Sequence, residues 1–451
     1  MPNKIAQIKI AQISTSYIKV PFYYGWVVIF AAFVLMALGV NARTAFSLLL
    51  PPILTEFKWD RGITAGAFSF GFLLSAFCSP LMGRLMDSRG PRFVALIGVA
   101  TIVAGLFLAT LGNQPWHLYA TLGVLVGAGS VCLGYTGQSL YLPNWFVERR
   151  GLAMGIAFSG VGIGSIVLLP WMQVLIGSHG WRYACSALAI VVLILGIPLA
   201  FLLRRKPQDI GLLPDGAKPD TKALKATDQP KAAPKTNVID KDWVAIDWTL
   251  QLAMRTRRFW WLASGYFCMM FAWYAVQVHQ TKYLVETGFS AKQAAWALGA
   301  VSLAGIPGQI ALGALSDRIG REIVWLIANM GFVATYVLLL VLGDHPNAAP
   351  SVAVLYSMIL TQGLLGYGAT SVFGAIPVEI FEGKHYGSIF GTLMLIAISG
   401  GAFGPFLTGA IYDYTNSYVL AFWIAIACSL YACVAIYQAA PGKVRCVAGR
   451  R

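Results

Sequence analysis

Long apolar runs alternate with short polar segments along most of the chain. Each of twelve runs reaches the roughly 20 residues that an α-helix needs to cross the hydrocarbon core of a bilayer. They cover residues 24–50, 63–83, 93–112, 116–141, 151–176, 183–203, 259–285, 292–315, 323–343, 351–378, 386–411 and 417–438. Such runs are too long for the alternating strands of a barrel, and a helix pairs its own backbone groups in lipid. The pattern therefore predicts an all-α integral membrane protein with twelve transmembrane helices.

One long polar segment separates the sixth run from the seventh. It is rich in Lys, Pro, Ala and Asp, which is typical of a solvated connector. We therefore predict two six-helix bundles joined by a cytoplasmic linker. The predicted domains are an N-terminal segment 1–23, bundles 24–203 and 258–438, the linker 204–257 and a basic tail 439–451.

Composition agrees with a membrane protein, since 58% of the residues are hydrophobic, 11% are charged and the mean hydropathy is +0.69. The net charge of +15 lies mostly on the side of the termini and the linker. The opposite side holds only Lys58, Arg61, Arg182, Lys282 and Lys292. By the positive-inside bias, both termini are predicted in the cytoplasm of a plasma or bacterial inner membrane. This distribution explains the basicity without a nucleic-acid partner.

The chemistry of an enzyme is missing from the sequence. The seven cysteines form no CxxC pair, and there is no HExxH, GxSxG or phosphate-loop motif. We therefore predict no enzymatic activity, no metal and no cofactor. Nothing in the sequence indicates an oligomer, so a monomer is expected.

Two short polar loops repeat each other. "GRLMDSRGPR" follows the second run and "GALSDRIGRE" follows the eighth. Glycine allows close helix approach, and aspartate accepts hydrogen bonds at a helix start. The repeat indicates an internal duplication in which both loops serve as a gate. The predicted gate residues are Gly83, Asp87, Arg92, Gly313, Asp317 and Arg321.

This loop pair, together with twelve helices and a long central linker, resembles the signature of the major facilitator superfamily. The resemblance covers the whole chain. It implies two pseudo-symmetric six-helix bundles that rock around a central site, with the paired loops in the cytoplasmic gate.

Two further stretches resemble one branch of that superfamily. "YYGWVVIFAAF" opens the first helix, and "YLPNWFVERRGLAMGIAFSGVGIGSIVLLPW" leads into a glycine-rich fifth helix. Both are similar to motifs of monocarboxylate porters and oxalate/formate exchangers. The resemblance implies a secondary active transporter of a small organic anion.

That branch has three customary places for a cation that meets the anion, and this chain fills one. Helix 8 has Gln309 where many relatives carry arginine, and helix 11 has Leu393 or Met394 in place of a lysine. Helix 1 has Arg43. The departures argue against a dicarboxylate, so we expect a singly charged and partly apolar acid. Gln309 can still donate hydrogen bonds to a carboxylate.

Arg43 lies with Asn41 in an otherwise apolar run. One reading is that the side chain reaches back to the membrane surface, about 27 Å along the helix from Gly25. The other is that it faces an aqueous cavity, as intramembrane arginines usually do. We favour the cavity and expect Arg43 and Asn41 to bind substrate.

Other intramembrane polar residues complete the candidate site. Tyr135 and Gln138 share a helix face, and Gln362 occupies a similar place in helix 10, with helix packing as the alternative for all three. His279 has the pKa range needed for a proton relay, so we expect a proton to be co-transported, with a structural hydrogen bond as the alternative. The predicted substrate site is thus Asn41, Arg43, Tyr135, Gln138, His279, Gln309 and Gln362.

Two other functions stay open at this point. The chain could export neutral or amphiphilic compounds, or it could be a receptor that keeps a carrier fold without transport. Cationic drugs are disfavoured because no acidic residue lies deep in a span.

Overall fold

The computed structural model describes residues 22–59, 61–217, 238–343 and 351–450. The predicted N-terminal segment 1–23 and the centre of the linker lie almost wholly outside this part of the chain. Eleven helices among the described residues are long and apolar enough to cross a membrane. One of them contains two crossings, which brings the number to twelve.

The twelve helices follow the predicted order. They are α1 Gly25–Phe57, α2 61–89, α3 91–109, α4 Pro115–Trp145, α5 Arg150–His179, α6 Trp181–Leu202, α7 Arg257–Glu286, α8 Ala291–Ile319, α9 Arg321–Gly343, α10 Val352–Phe381, α11 Tyr386–Thr415 and α12 Val419–Ala439. The all-α fold with twelve membrane helices is confirmed.

Glycine makes the turn in both repeated loops. Gly90 has a φ of 78° and a ψ of 177°, which separates α2 from α3 inside one long helical segment. Gly320 has a φ of 108° and ends α8. Side chains with a Cβ rarely adopt these angles. The two loops therefore turn in the same way, as the sequence repeat indicates.

The first helix is longer than predicted. We expected it to end at Leu50, before Pro51, but it continues to Phe57. Ala45 interrupts the regular helix, but the backbone hydrogen bonds continue through it, because the Ala45 amide donates to the Asn41 carbonyl at 2.8 Å. Pro51 and Pro52 both lie inside the segment after Ala45, where their missing N–H groups remove two helical hydrogen bonds without ending the helix.

The two bundles meet most closely at the membrane face that carries the linker, which we call the linker face. There α2 packs against α11, and α5 packs against α8. A Cβ at Gly83 would overlap the carbonyl oxygen of Gly387, and one at Gly313 would overlap that of Gly151. The bundles are thus in backbone contact at two related places.

We expected the linker to be a solvated connector, but its described flanks pack against the two bundles. The Trp243 indole donates to the Ile380 carbonyl at 2.8 Å, and Arg258 lies 4.1 Å over the Trp243 ring. On the other flank, the Trp145 indole donates to the Arg204 carbonyl at 3.1 Å. The indole groups of Trp243 and Trp145 therefore hold the two flanks of the linker against the bundles.

The C-terminal tail also packs on the linker face. The Gly442 amide donates to Glu322 at 2.6 Å, and the Ile239 amide of the linker donates to the Val444 carbonyl at 2.9 Å. Arg445 pairs with Glu382 at 3.2 Å. Tail and linker thus form one layer beneath the repeated loops.

The backbone contacts predict that Gly83→Ala opens the linker face. Overpacking of this kind costs about 1–3 kcal/mol, which is at least about fivefold in the ratio of closed to open molecules. A Ser47→Cys probe in the cavity-lining part of α1, in a variant without the native cysteines, should then react more slowly with an impermeant maleimide added at the opposite face. Gly177→Ala is the control, since a Cβ there meets no atom within 4 Å. Equal labelling of all three proteins would contradict the prediction.

Candidate functional site

A cavity of about 560 Å³ lies between the two bundles. The N-terminal bundle contributes side chains from α1, α4 and α5, and the C-terminal bundle contributes side chains from α7, α8 and α10. Thr44 and Ser47 of α1 line it and are exposed, whereas Gln309 lies four residues from the close contact at Gly313. The cavity therefore opens away from the linker face.

Aromatic side chains form much of the C-terminal wall. The rings of Trp273 and Tyr367 lie 4.8 Å apart. Gln277 joins them, since its Oε1 accepts from the Trp273 indole at 2.5 Å and its Nε2 donates to the Tyr367 hydroxyl at 3.2 Å. Tyr135 faces this wall from α4. None of the described residues that line the cavity carries a formal charge.

Gln309 is a buried residue of this wall whose side-chain amide does not have all its hydrogen-bond partners. Its side chain is 2% exposed, and its Oε1 has no hydrogen-bond partner among the described residues. Buried amides are almost always hydrogen-bonded, and the amide oxygen and nitrogen can exchange places by rotation. Gln309 is therefore equipped to bind a ligand in the cavity, as acceptor or donor.

Arg43 is next in sequence to Thr44 of the cavity lining, and its own side chain lines a second, small pocket within the N-terminal bundle together with Gly71 and Leu122. The preceding turn of α1 is buried, the next residue is Thr44, and the guanidinium carbon lies 5.0 Å from the ring centre of Phe72. Phe72 in turn meets Tyr274 of the opposite bundle, with ring centres 5.2 Å apart. The side chain of Arg43 forms no hydrogen bond or ion pair among the described residues. A half-buried cation thus stands one residue from the cavity without an anionic partner.

Two of the predicted site residues of the N-terminal bundle do not line the cavity. Asn41 is 1% exposed, and its amide donates to the Val161 carbonyl at 3.1 Å while accepting from Ser165 at 2.7 Å, which ties α1 to α5. Gln138 donates to the Leu133 carbonyl at 2.8 Å and accepts from Tyr141. Both amides are satisfied by protein groups.

Two predicted residues of the C-terminal bundle are likewise outside the lining. Gln362 and Gln280 form a reciprocal amide pair with N–O distances of 3.0 and 2.8 Å. His279 Nε2 lies 3.1 Å from the Pro405 carbonyl, and its Nδ1 lies 3.5 Å from the Tyr418 hydroxyl. These contacts join α7 to α10, α11 and α12 inside one bundle.

Each of the two repeated aspartates accepts hydrogen bonds from backbone amides of the opposite bundle, a contact that we call a clasp. Asp87 accepts from the amides of Gly387 and Ser388 at 2.8 and 2.9 Å, at the start of α11. Asp317 accepts from the amides of Gly151 and Leu152 at 2.9 and 3.0 Å, at the start of α5. The first amides of a helix have no partner within it, and a carboxylate there is favoured by the helix dipole. The two clasps close the linker face.

The arginines of the two loops differ in role. Arg321 is 2% exposed and pairs with Asp317 at 2.7 Å and Glu379 at 2.9 Å. Arg92 instead donates to the Phe201 carbonyl of its own bundle at 3.0 Å, so it lies outside the contact between bundles. A further cross-bundle pair joins Arg150 to Glu382 at 3.4 Å. The closed face thus contains a buried charge network on one side only.

Some site residues were missed although the sequence carries a signal for them. "LGY" occurs at residues 133–135 and again at 365–367, so the repeat marks Tyr367, which the predicted site left out, as the counterpart of the predicted Tyr135, and both line the cavity. Gly151 and Gly387 form another repeat, at the starts of α5 and α11. Aligning the two halves beyond the repeated loops would have paired Tyr367 with Tyr135 and Gly387 with Gly151.

Two six-helix bundles around a central cavity that is closed at one face define a membrane carrier, not an enzyme. The family model described as Major Facilitator Superfamily matches residues 29–291 and 263–448, so the chain belongs to that superfamily.

Curated relatives extend over most of the chain. Monocarboxylate transporter 13 of Rattus norvegicus is 26% identical over 413 residues, which covers 89% of this chain and 86% of the relative. Monocarboxylate transporter 11 of Homo sapiens is 25% identical over 409 residues, with coverages of 89% and 80%. The chain is therefore similar to monocarboxylate transporters along nearly its full length.

A solved structure has the same fold. The superfamily transporter FucP in its outward conformation aligns with a TM-score of 0.65 at 17% identity, covering 93% of this chain and 99% of FucP. At this identity the likeness concerns the fold alone.

The buried network predicts a large cost for Glu379→Gln. The free energy of unfolding should fall by about 2 kcal/mol, less than the roughly 3–5 kcal/mol of a fully broken buried pair because Asp317 still faces Arg321. Glu286→Gln is the control, since its pair with Lys282 is exposed and should contribute at most about 1 kcal/mol. Thermal unfolding of both purified variants measures the difference. Equal melting temperatures would show that the network contributes nothing to stability.

Proposed function

We propose that this protein is a secondary active transporter that moves a small monocarboxylate-type organic anion across the membrane by alternating access. The observation that carries the proposal is Arg43, a membrane-embedded cation beside the cavity with no anionic partner among the described residues. The names of the relatives in the monocarboxylate transporter group support the same substrate class.

Electrostatics favours a substrate carboxylate over the present contact of Arg43. A cation over an aromatic ring gains about 0.5–2 kcal/mol. A carboxylate at about 4 Å gains about 4 kcal/mol at an effective dielectric constant of 20. The guanidinium would therefore leave Phe72 for an anion that enters the cavity beside Thr44. One cation suits one carboxylate.

The other walls of the cavity favour particular groups attached to the substrate carboxylate. Trp273, Tyr274 and Tyr367 offer aromatic faces, and Gln309 offers an amide whose Oε1 lacks a hydrogen-bond partner among the described residues. Such a wall favours an apolar or aromatic group attached to the carboxylate, since apolar surface gains about 25 cal/mol per Å² on burial. We therefore infer that arylalkyl monocarboxylates bind better than acids of two or three carbons.

Alternating access requires the linker face to open. The clasps of Asp87 and Asp317 would then release α11 and α5, while the opposite face closes over the cavity. Both clasps join a carboxylate to backbone amides, so either can be broken and remade without moving a side chain into lipid. By the positive-inside bias we infer that the linker face is cytoplasmic.

Arg43→Gln should abolish uptake of the anion. In proteoliposomes, a panel of labelled acids that range from acetate to phenyl-substituted propionates is compared for the wild type, Arg43→Gln and Arg43→Lys. We expect at least about 100-fold lower uptake for Arg43→Gln, from the loss of a charge-assisted pair worth about 3 kcal/mol, and partial activity for Arg43→Lys. Lys282→Gln, which removes an exposed cation near the opposite face, is the control. Wild-type uptake by Arg43→Gln with an unchanged KM would contradict the proposal that Arg43 binds the substrate carboxylate.

A second candidate function rests on the uncharged lining. An amphiphilic neutral compound would also fit a cavity whose lining residues carry aromatic rings and amides. The same panel separates the two functions when each acid is paired with its primary amide. Transport of the amide at the rate of the acid, independent of Arg43, would favour the second function.

Proton coupling belongs to the proposal and predicts a specific effect of His279→Gln. We expect an inward proton gradient to stimulate wild-type uptake, because a protonated His279 would donate from both ring nitrogens and so change its contacts with the Pro405 carbonyl and the Tyr418 hydroxyl. In His279→Gln this stimulation should disappear while exchange of internal for external acid persists. Uptake by both proteins is measured with and without the gradient. An unchanged response in the variant would exclude His279 as the coupling group.

A further inference from the structure

A basic cleft of about 510 Å³ lies at the linker face of the N-terminal bundle, where α2 meets α3 and α6 ends. Four arginines line it, namely Arg89, Arg92, Arg204 and Arg205. Asp209 is the one acidic residue in the described lining. The cleft lies outside the central cavity and plays no part in the proposed transport site.

The fold holds three of these guanidinium groups without neutralising them. Arg92 Nη2 and Arg204 Nη1 donate to the same carbonyl oxygen, that of Phe201, at 3.0 and 2.7 Å. Arg205 Nη1 donates to the backbone carbonyl of Asp87 at 2.7 Å. A carbonyl oxygen orients a guanidinium but leaves its charge. The cations are therefore fixed close to one another.

No acidic side chain among the described residues forms an ion pair with this group of charges, although the Asp87 carboxylate interacts with Arg205 at longer range. The ion pairs among the described residues do not include any of the four arginines. Asp209 uses its Oδ2 to accept the Lys206 amide at 3.2 Å. Like charges near a protein surface repel with energies of a few kcal/mol at short range. An anion bound in the cleft would remove that repulsion.

Arg89 and Arg92 have no arginine at the aligned positions of the second loop. At the equivalent positions in the second loop, Ile319 and Glu322 stand where Arg89 and Arg92 stand in the first. Glu322 accepts the Gly442 amide of the tail at 2.6 Å. The C-terminal bundle thus covers this place with its own chain, and the N-terminal bundle leaves a cationic cleft.

An apolar stripe on α6 leads to the cleft. Ile194, Ile197 and Phe201 are 62%, 37% and 50% exposed, and their spacing puts them on one helix face. Such a face of a membrane helix contacts lipid chains. The carbonyl of Phe201, the last of the three, is the oxygen that holds Arg92 and Arg204. Acyl-chain surface and phosphate-binding groups are therefore continuous.

We propose that this cleft binds the phosphate headgroup of an anionic phospholipid from the leaflet at the linker face. Arg92 and Arg204 meet the phosphate, Arg89 adds charge at the exposed edge, and the acyl chains lie along α6. Arginine matches phosphate through paired N–H donors. Basic pockets between helix ends are a recognised form of lipid headgroup site.

The test is a titration of the purified full-length protein in detergent with phosphatidylglycerol, followed by thermal unfolding. Phosphatidylglycerol should raise the melting temperature, and phosphatidylcholine with the same chains should not. Arg92→Gln/Arg204→Gln should weaken the apparent affinity about 30-fold, from about 1 kcal/mol for each cation. Arg255→Gln/Arg257→Gln is the matched control, because it removes two exposed arginines from the same face.

Arg89→Gln is a second test of the lipid site, and it applies even if the double variant fails to fold. This residue is exposed and packs on Phe93, and its loss should weaken binding about fivefold. Wild-type affinity in Arg89→Gln and in any folded double variant would overturn the proposal. Equal stabilisation by phosphatidylcholine would do the same. Equal stabilisation by inorganic phosphate at the same concentration would overturn the assignment to lipid in favour of a free anion.

Discussion

The contact of an aspartate with the first amides of a helix in the other bundle determines the conformation of this protein. Asp87 binds the start of α11, and Asp317 binds the start of α5. Each carboxylate replaces partners that a helix cannot supply itself, so the contact is strong although it is made to backbone groups. Glycines beside both contacts allow the backbones to touch. Because the linker face is closed in this way, the cavity is open at the opposite face.

The fold could be predicted because a bilayer restricts what an apolar run can become. Runs of about 20 residues must be helices, and their number gave twelve crossings. The repeat that contains Asp87 and Asp317 also predicted where the bundles would meet. Its partners, Gly387 and Gly151, stayed hidden because only half of the duplication was aligned. The predicted end of α1 was wrong because Pro51 was taken as a stop, whereas Pro51 and Pro52 lie inside the helix, which continues to Phe57.

The candidate site was harder to predict because helix periodicity fails where the helices are irregular. Both α4 and α10 contain π-helical turns, at Tyr119–Val126 and Thr361–Leu365, which rotate the following residues relative to a regular helix. Gly134 then interrupts α4 in an extended conformation. Tyr135 therefore faces the cavity while Gln138, three residues later, bonds to its own helix. A polar residue in a span can serve either purpose, and sequence spacing does not distinguish them.

The isolation of Arg43 has an electrical consequence for the transport cycle. With a monoanion bound, the cavity region would be close to neutral, and without substrate it would carry one positive charge. A membrane potential of 100 mV acts on a fully translocated charge with about 2.3 kcal/mol. Voltage would therefore act mainly on the empty protein as it changes conformation, and the loaded protein would cross between its two states with little dependence on the potential.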